Sequence, residues 1–246
     1  MQFPNPYALR KEATPRELVV FAASQLQGSE NIQQDYFLNF NDECFVIADG
    51  LSTMPNGEVA AKLACETAIW GYKHIRQHKY YWLDKKLFMK RIFRSTNLAV
   101  WQKRKERGFE EGLATNLLVC MIGAKTYWIG YAGEMYAWLM SGSSIRKLTR
   151  DISPYETEKT NTLGFRRLGL IPYYVTEPMK AGDVLLLTTA GCGNYLTPSD
   201  VQVGMGRVGN TEEEARAAVQ SILDSAATNG SVANETALII KRVATS

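Results

Sequence analysis

Histidine is nearly absent from this chain. Only two of its 246 residues carry an imidazole, His74 and His78. They stand four apart, a spacing that one helix face can bring to a metal, but no third ligand accompanies them and they read as an exposed pair. Cysteine is scarce as well. Cys44, Cys65, Cys120 and Cys192 are scattered, each within apolar sequence, which excludes a disulfide framework or thiolate zinc site and leaves reduced, buried thiols. No apolar run approaches the roughly 18 residues of a membrane span, and residues 1–15 hold no apolar stretch of the kind that directs secretion. The expectation is a cytoplasmic protein with no membrane partner. A surplus of one charge is missing too. Lys plus Arg number 28 against 25 Asp plus Glu, a net +3, so there is no electrostatic case for nucleic acid. There is no internal repeat and no low-complexity segment.

What is present suffices for a large core: 46% of residues are hydrophobic and 22% charged, most simply one domain. Residues 1–17 read as an extended lead-in and 18–246 as that domain. Strands are expected at 18–24, at 36–38 and up to residue 49, the last two joined by a polar turn at 39–43. A helix over 57–79 places Val59, Leu63, Ile69 and Trp70 on its apolar side. A second, over 84–107, uses Leu87, Phe88, Ile92 and Val100, and its basic last turns suit a helix C-terminus. From Asn116 the pattern changes to strands at 117–122, 127–131 and 135–140, with hairpin-length separators at 123–125 and 132–134. Residues 151–170 read as an irregular surface excursion, 183–189 as a buried strand, 211–228 as a helix with an acidic first turn, and 236–243 as the closing strand. Elements come in blocks without a βαβ rhythm, which points to an α+β fold with largely antiparallel sheets.

Candidate chemistry centres on Phe45 to Pro55. The apolar run Phe45, Val46, Ile47 ends in Asp49-Gly50, so a buried strand delivers one carboxylate and one bare carbonyl to a sheet edge. A hard cation could sit there, although Asp-Gly also makes an ordinary turn.

The pieces around it resemble, in order and spacing, the metal-dependent protein serine/threonine phosphatases of type 2C (PPM). The matching stretches are Gln33-Gln34-Asp35, Val46-Ile47-Ala48-Asp49-Gly50 with Gly57-Glu58-Val59-Ala60, Leu113-Ala114-Thr115-Asn116 and Tyr131-Ala132-Gly133-Glu134. They continue through Leu148-Thr149-Arg150-Asp151, Leu185 to Gly191, and Gly230 to Thr236. The resemblance implies a β-sandwich of two antiparallel sheets flanked by helices on both outer faces, with the site at one end. It further implies two Mg²⁺ or Mn²⁺ ions holding a hydroxide that attacks a phosphoserine or phosphothreonine.

Against that pattern Asp49 matches the bridging ligand and Gly50 the carbonyl ligand, and Asp35 persists beside them. The remaining pattern is broken. The family's metal-binding Asp of its S-D-G motif falls on Ala190 and that of D-N-x-T on Ala233, and a methyl group ligates nothing. Gln34 replaces an acidic residue. Glu134 stands where the family's third-metal Asp would be, so weak oxygen ligation stays open there, and Glu235 is a compensating candidate if the last strand begins early. Glu30 occupies the position of the phosphate-gripping Arg, where an acid repels a dianion. Met54 replaces the candidate proton donor, and Ile152 replaces a further His.

The leading expectation is therefore a pseudophosphatase acting as a binding or regulatory module in phospho-signalling, with no cofactor. Its implied partner is a protein, a serine/threonine kinase or a phosphoprotein. The enzymatic alternative is a divergent Mn- or Mg-dependent phosphatase running on Asp49, Asp35, Glu134 and Glu235. A third is an assembly module whose surface includes Tyr80-Tyr81-Trp82 or Tyr173-Tyr174.

Overall fold

Continuous apolar strands form where both faces of a sheet are covered, and this chain has several. The structure, a computed structural model, describes residues 19–77, 84–151 and 161–244. In chain order its elements are β1 (Val19–Leu26), β2 (Asp35–Phe40), β3 (Cys44–Gly50), α1 (Gly57–Arg76), α2 (Lys85–Lys103), β4 (Thr115–Ile122), β5 (Thr126–Ala132), β6 (Met135–Ser141) and β7 (Ser144–Lys147). They continue with β8 (Tyr173–Pro178), β9 (Val184–Thr189), a one-turn helix α3 (Ala190–Gly193), α4 (Pro198–Gly206), α5 (Glu212–Thr228) and β10 (Glu235–Arg242). One sheet runs β2-β3-β4-β5-β8 and the other β1-β10-β9-β6-β7. The pairings between these strands are antiparallel.

Side chains alternate across a strand, and the alternation sorts the core into layers. In β3, Phe45 and Ile47 enter the space between the sheets with Leu118 and Cys120 of β4, Leu185 and Leu187 of β9 and Leu238 and Ile240 of β10. The intervening Cys44, Val46 and Ala48 face α1 and α2. On the other sheet Leu186 and Ile239 face α4 and α5, against Val201, Met205, Val219 and Ile222. The four layers are thus helices, sheet, sheet, helices. The expected α+β sandwich is the fold observed. The four cysteines are free and buried.

Several local expectations need correction. The buried face of α1 is Ala60, Ala61, Ala64, Cys65, Ala68 and Ile69, a small-residue stripe that lets the helix lie close to β3. Trp70 is instead 58% exposed and stacks on His74 at 3.8 Å between ring centroids. Helix α2 ends at Lys103, before the basic turn, and Leu87 is exposed. The separator at 132–134 is no hairpin: β5 and β6 lie in different sheets, and the chain crosses between them there. Residues 173–174 open an edge strand, β8, paired with β5. Within the expected excursion, Thr162, Leu163 and Gly164 are buried, and Leu163 bridges to Thr115. The short β7, α3 and α4 were not anticipated. The lead-in over 1–17, His78, Tyr80, Tyr81, Trp82 and Ile152 lie outside the described residues.

Candidate functional site

Antiparallel register brings the acids together. Asp35 opens β2 and Asp49 lies near the end of β3, and the two are cross-strand partners. Asn116 of β4 sits opposite Asp49 on its other side. Thr189, Ala190 and Asn234 approach from the second sheet, where β9 ends and β10 begins. All of these lie at one end of the sandwich, around a cavity of about 500 Å³ whose lining includes Glu30, Gln34, Asp49, Gly50, Asn116, Glu134, Ala190, Asn194, Ala233 and Asn234.

The Asp35 carboxyl lies under this floor and is 3% exposed. Its Oδ2 accepts from Thr189 Oγ1 at 2.8 Å and from Thr236 Oγ1 at 2.7 Å. Thr236 N–H donates in turn to Thr189 Oγ1 at 3.0 Å. Asp35 therefore ties its own sheet to both β9 and β10. No donor reaches its Oδ1. Burial, followed by the charge of Asp49, raises the Asp35 carboxyl well above the usual carboxylate range.

Asp49 is pushed up to about 6, with burial the largest cause. Hydrogen bonding from the Asn116 side chain, then from the Ala190 N–H, opposes that rise, and Glu134 adds to it. Asp35, last among these causes, also opposes the rise. The backbone around Asp49 is pinned as well: Thr115 Oγ1 donates to its carbonyl at 2.9 Å, and Gly50 N–H to Gln34 O at 3.2 Å.

Two glycines shape the rim. Gly133 has φ +80°, and a Cβ there would lie 1.8 Å from Asn116 Oδ1. A Cβ on Gly191 would come within 2.0 Å of Asn234 O. The next rim position is Glu134, whose Oε1 accepts from the Tyr136 hydroxyl at 2.9 Å, while that hydroxyl also closes on the Asn194 side chain.

A pair of hard cations does not fit this donor set. Mg²⁺ and Mn²⁺ need several oxygen ligands in good geometry. Among the described residues no three His, Cys, Asp or Glu side chains converge as a metal group. Ala190 and Ala233 present methyl groups to the cavity where carboxylates would be needed. Asn234 is committed elsewhere, accepting from Gln34 N–H at 2.7 Å and donating to Gln27 O at 2.7 Å.

The structure thus brings Asp35, Asp49, Gly50, Gln34, Glu30, Glu134, Ala190 and Ala233 to one end. It does not bring Glu235 into the cavity lining. That side chain is 2% exposed, with Oε2 unpartnered, and burial raises its carboxyl. Met54 is not in the lining either; its sulfur packs against Gly112. Asn116 and Asn234 lie within motif stretches named from the sequence but were given no role there, and Asn194 lies outside them. Strand register is what places Asn116 opposite Asp49.

No protein-family model matches the chain, and no curated protein matches it in sequence. Solved structures do match in three dimensions. The catalytic domain of the serine/threonine protein phosphatase PstP, in complex with two manganese ions, has a TM-score of 0.73 at 17% identity, over 92% of this chain and 99% of that one. Stp1, a serine/threonine phosphatase of Staphylococcus aureus, scores 0.74 at 16% identity, over 92% and 95%. PppA of Pseudomonas aeruginosa scores 0.72 at 17% identity, over 91% and 97%. The chain has the fold of the PPM-type serine/threonine phosphatases.

Proposed function

We propose that this chain is a pseudophosphatase: a PPM-type fold that works by binding, as a regulatory module in phospho-signalling, without turning over phosphate esters. The observation that carries the reading is the state of Asp49. Among the described residues it is the one aspartate lining the cavity, with methyl groups at Ala190 and Ala233 where the family pattern places carboxylates. Hydroxide attack on a phosphomonoester needs cations to lower the water's pKa and neutralise the phosphoryl oxygens. Among the described residues this cavity offers Glu30, Glu134 and Asp49 and no Lys or Arg in its lining, a field that repels a phosphate dianion. The partner consistent with this role is a protein, a serine/threonine kinase or a phosphoprotein. Among the described residues no helix is long and apolar enough to cross a membrane, in keeping with the cytoplasmic setting we propose.

A thermal-shift titration with Mn²⁺ and Mg²⁺, run beside Asp49→Ala and paired with p-nitrophenyl phosphate hydrolysis, tests the reading. A ligand bound only by the folded state stabilises by about 2.7 kcal/mol at a hundredfold excess over its dissociation constant. The expected result is no metal-dependent shift up to about 10 mM, far above the micromolar range of a tight site, and no hydrolysis above the metal-only blank. A shift that disappears in Asp49→Ala, accompanied by metal-dependent hydrolysis, would replace this reading with a divergent Mn- or Mg-dependent phosphatase.

A further inference from the structure

Helix α2 carries Lys85, Lys86, Lys90, Arg91, Arg94 and Lys103 and not one acidic residue. Lys86, Lys90 and Arg94 are spaced by four, so they form one exposed stripe. Like charges at that spacing repel one another. Among the described residues neither Lys90, Arg94 nor Arg167 has a carboxylate partner. A stripe of unpaired like charge is compensated most simply by an anion from outside.

The stripe borders a built recess. The segment 166–172 runs beside α2 just before β8, and Asn97 of α2 pins its approach. Asn97 Nδ2 donates to Arg166 O at 2.9 Å and to Arg167 O at 3.3 Å, and its Oδ1 accepts from Gly164 N–H at 3.0 Å. Between helix and segment lies a cavity of about 330 Å³, with Lys90, Arg94 and Arg167 among its lining and Phe93, Leu170 and Tyr174 as apolar walls. Among the described residues no acidic side chain lines it. The Tyr174 ring packs edge-on against Phe93 with centroids 6.4 Å apart, and its hydroxyl is buried with no hydrogen-bond partner. At the mouth Leu168 and Ile171 are each 67% exposed, a degree of apolar exposure that marks interaction surfaces when it is contiguous.

We propose that this groove binds an acidic segment of a partner protein, with one large apolar side chain in the cavity and flanking carboxylates on Lys90, Arg94 and Arg167. The charge continues to Lys86 beyond the cavity, which suits an extended chain better than a small compact ligand. The apolar groups line a recess beside a ridge of charge, which suits an inserted side chain better than a flat lipid surface. This surface is distinct from the Asp49 cavity, and the inference does not depend on whether that cavity is catalytic.

The probe is the capped peptide Glu-Glu-Trp-Glu-Glu, followed by fluorescence anisotropy at low salt. Binding with a dissociation constant of about 10–100 µM is expected, weakening as salt screens the pairs. The double variant Lys90→Glu/Arg94→Glu should lose at least tenfold in affinity. Both positions are exposed, and an unchanged melting temperature confirms that the variant folds. Ile171→Ala and replacement of the peptide's Trp by Ala should each weaken binding several-fold. The proposal is overturned by no binding at about 1 mM, by equal affinity for Lys-Lys-Trp-Lys-Lys, or by full affinity in the double variant. Capture by phosphatidylserine vesicles with no binding of the peptide would also overturn it, in favour of a membrane surface.

Discussion

Asp35 is buried at the seam of the two sheets, where desolvation and then the charge of Asp49 disfavour its ionised form. Thr189 and Thr236 satisfy one oxygen, while the other has no donor and adjoins Asp49. Its pKa in the folded chain is raised, so the folded state holds the proton more tightly than the unfolded chain, whose carboxyl titrates near about 3.9. That contribution to stability is fully present below the unfolded value and is lost as pH rises through the folded one. Asp49, raised to about 6, acts in the same direction. Melting temperature should therefore rise as pH falls from 7 towards about 4, over the window between these values. Asp35→Asn keeps an acceptor for both threonines and removes the buried ionisable group. It should raise the melting temperature at pH 7 by roughly 2–4 °C, about 1 kcal/mol for a chain of this size, and flatten the pH dependence. Scanning calorimetry from pH 4 to 8 checks this. A variant that melts lower than the parent at pH 7 would mean that an ionised Asp35 is what the seam requires.

At the scale of elements, the clearest signals were local. Helix α5 is announced by Thr211 and three acids, and it begins with a capping box. Thr211 Oγ1 accepts from Glu214 N–H at 3.2 Å, and Glu214 Oε2 from Thr211 N–H at 3.1 Å. Thr211→Ala should cost about 1 kcal/mol, read as a lower urea midpoint with an unchanged slope. Helix α1 was located correctly from its start, and Val59, Leu63 and Ile69 pack on the core as expected, but Trp70 does not and the alanine stripe was not anticipated. Large side chains dominate a hydrophobicity pattern, whereas contact with β3 uses Ala60, Ala64 and Ala68, whose size admits the sheet. The crossing from β5 to β6 was misread for a related reason. Ala132-Gly133-Glu134 has the length and the glycine of a hairpin turn. What sends β6 to the other sheet is its pairing with β9, a partner about fifty residues away in the chain.

At the scale of the molecule, the two sheets are held by side chains that meet only when both are present. Ile47, fully buried between them, should cost about 2–5 kcal/mol on truncation to Ala, measured by urea unfolding. A loss below about 1 kcal/mol would mean that the inter-sheet layer collapses around the gap. Most of the strands, the three long helices, the α+β class and the sandwich were within reach of the sequence. Each depends on short-range pattern or on motif order, and hydrophobic alternation is a local property. Motif order also singled out Glu30, Gln34, Ala190 and Ala233, and all four line the cavity. Tertiary structure alone decided that Asn116 and the Ala190 N–H hold Asp49, that Glu235 stays out of the cavity, and that α2 and the segment 166–172 enclose a basic recess. These arise from contacts between residues distant in the chain. No periodicity records them, because register and packing between layers select which side chains meet.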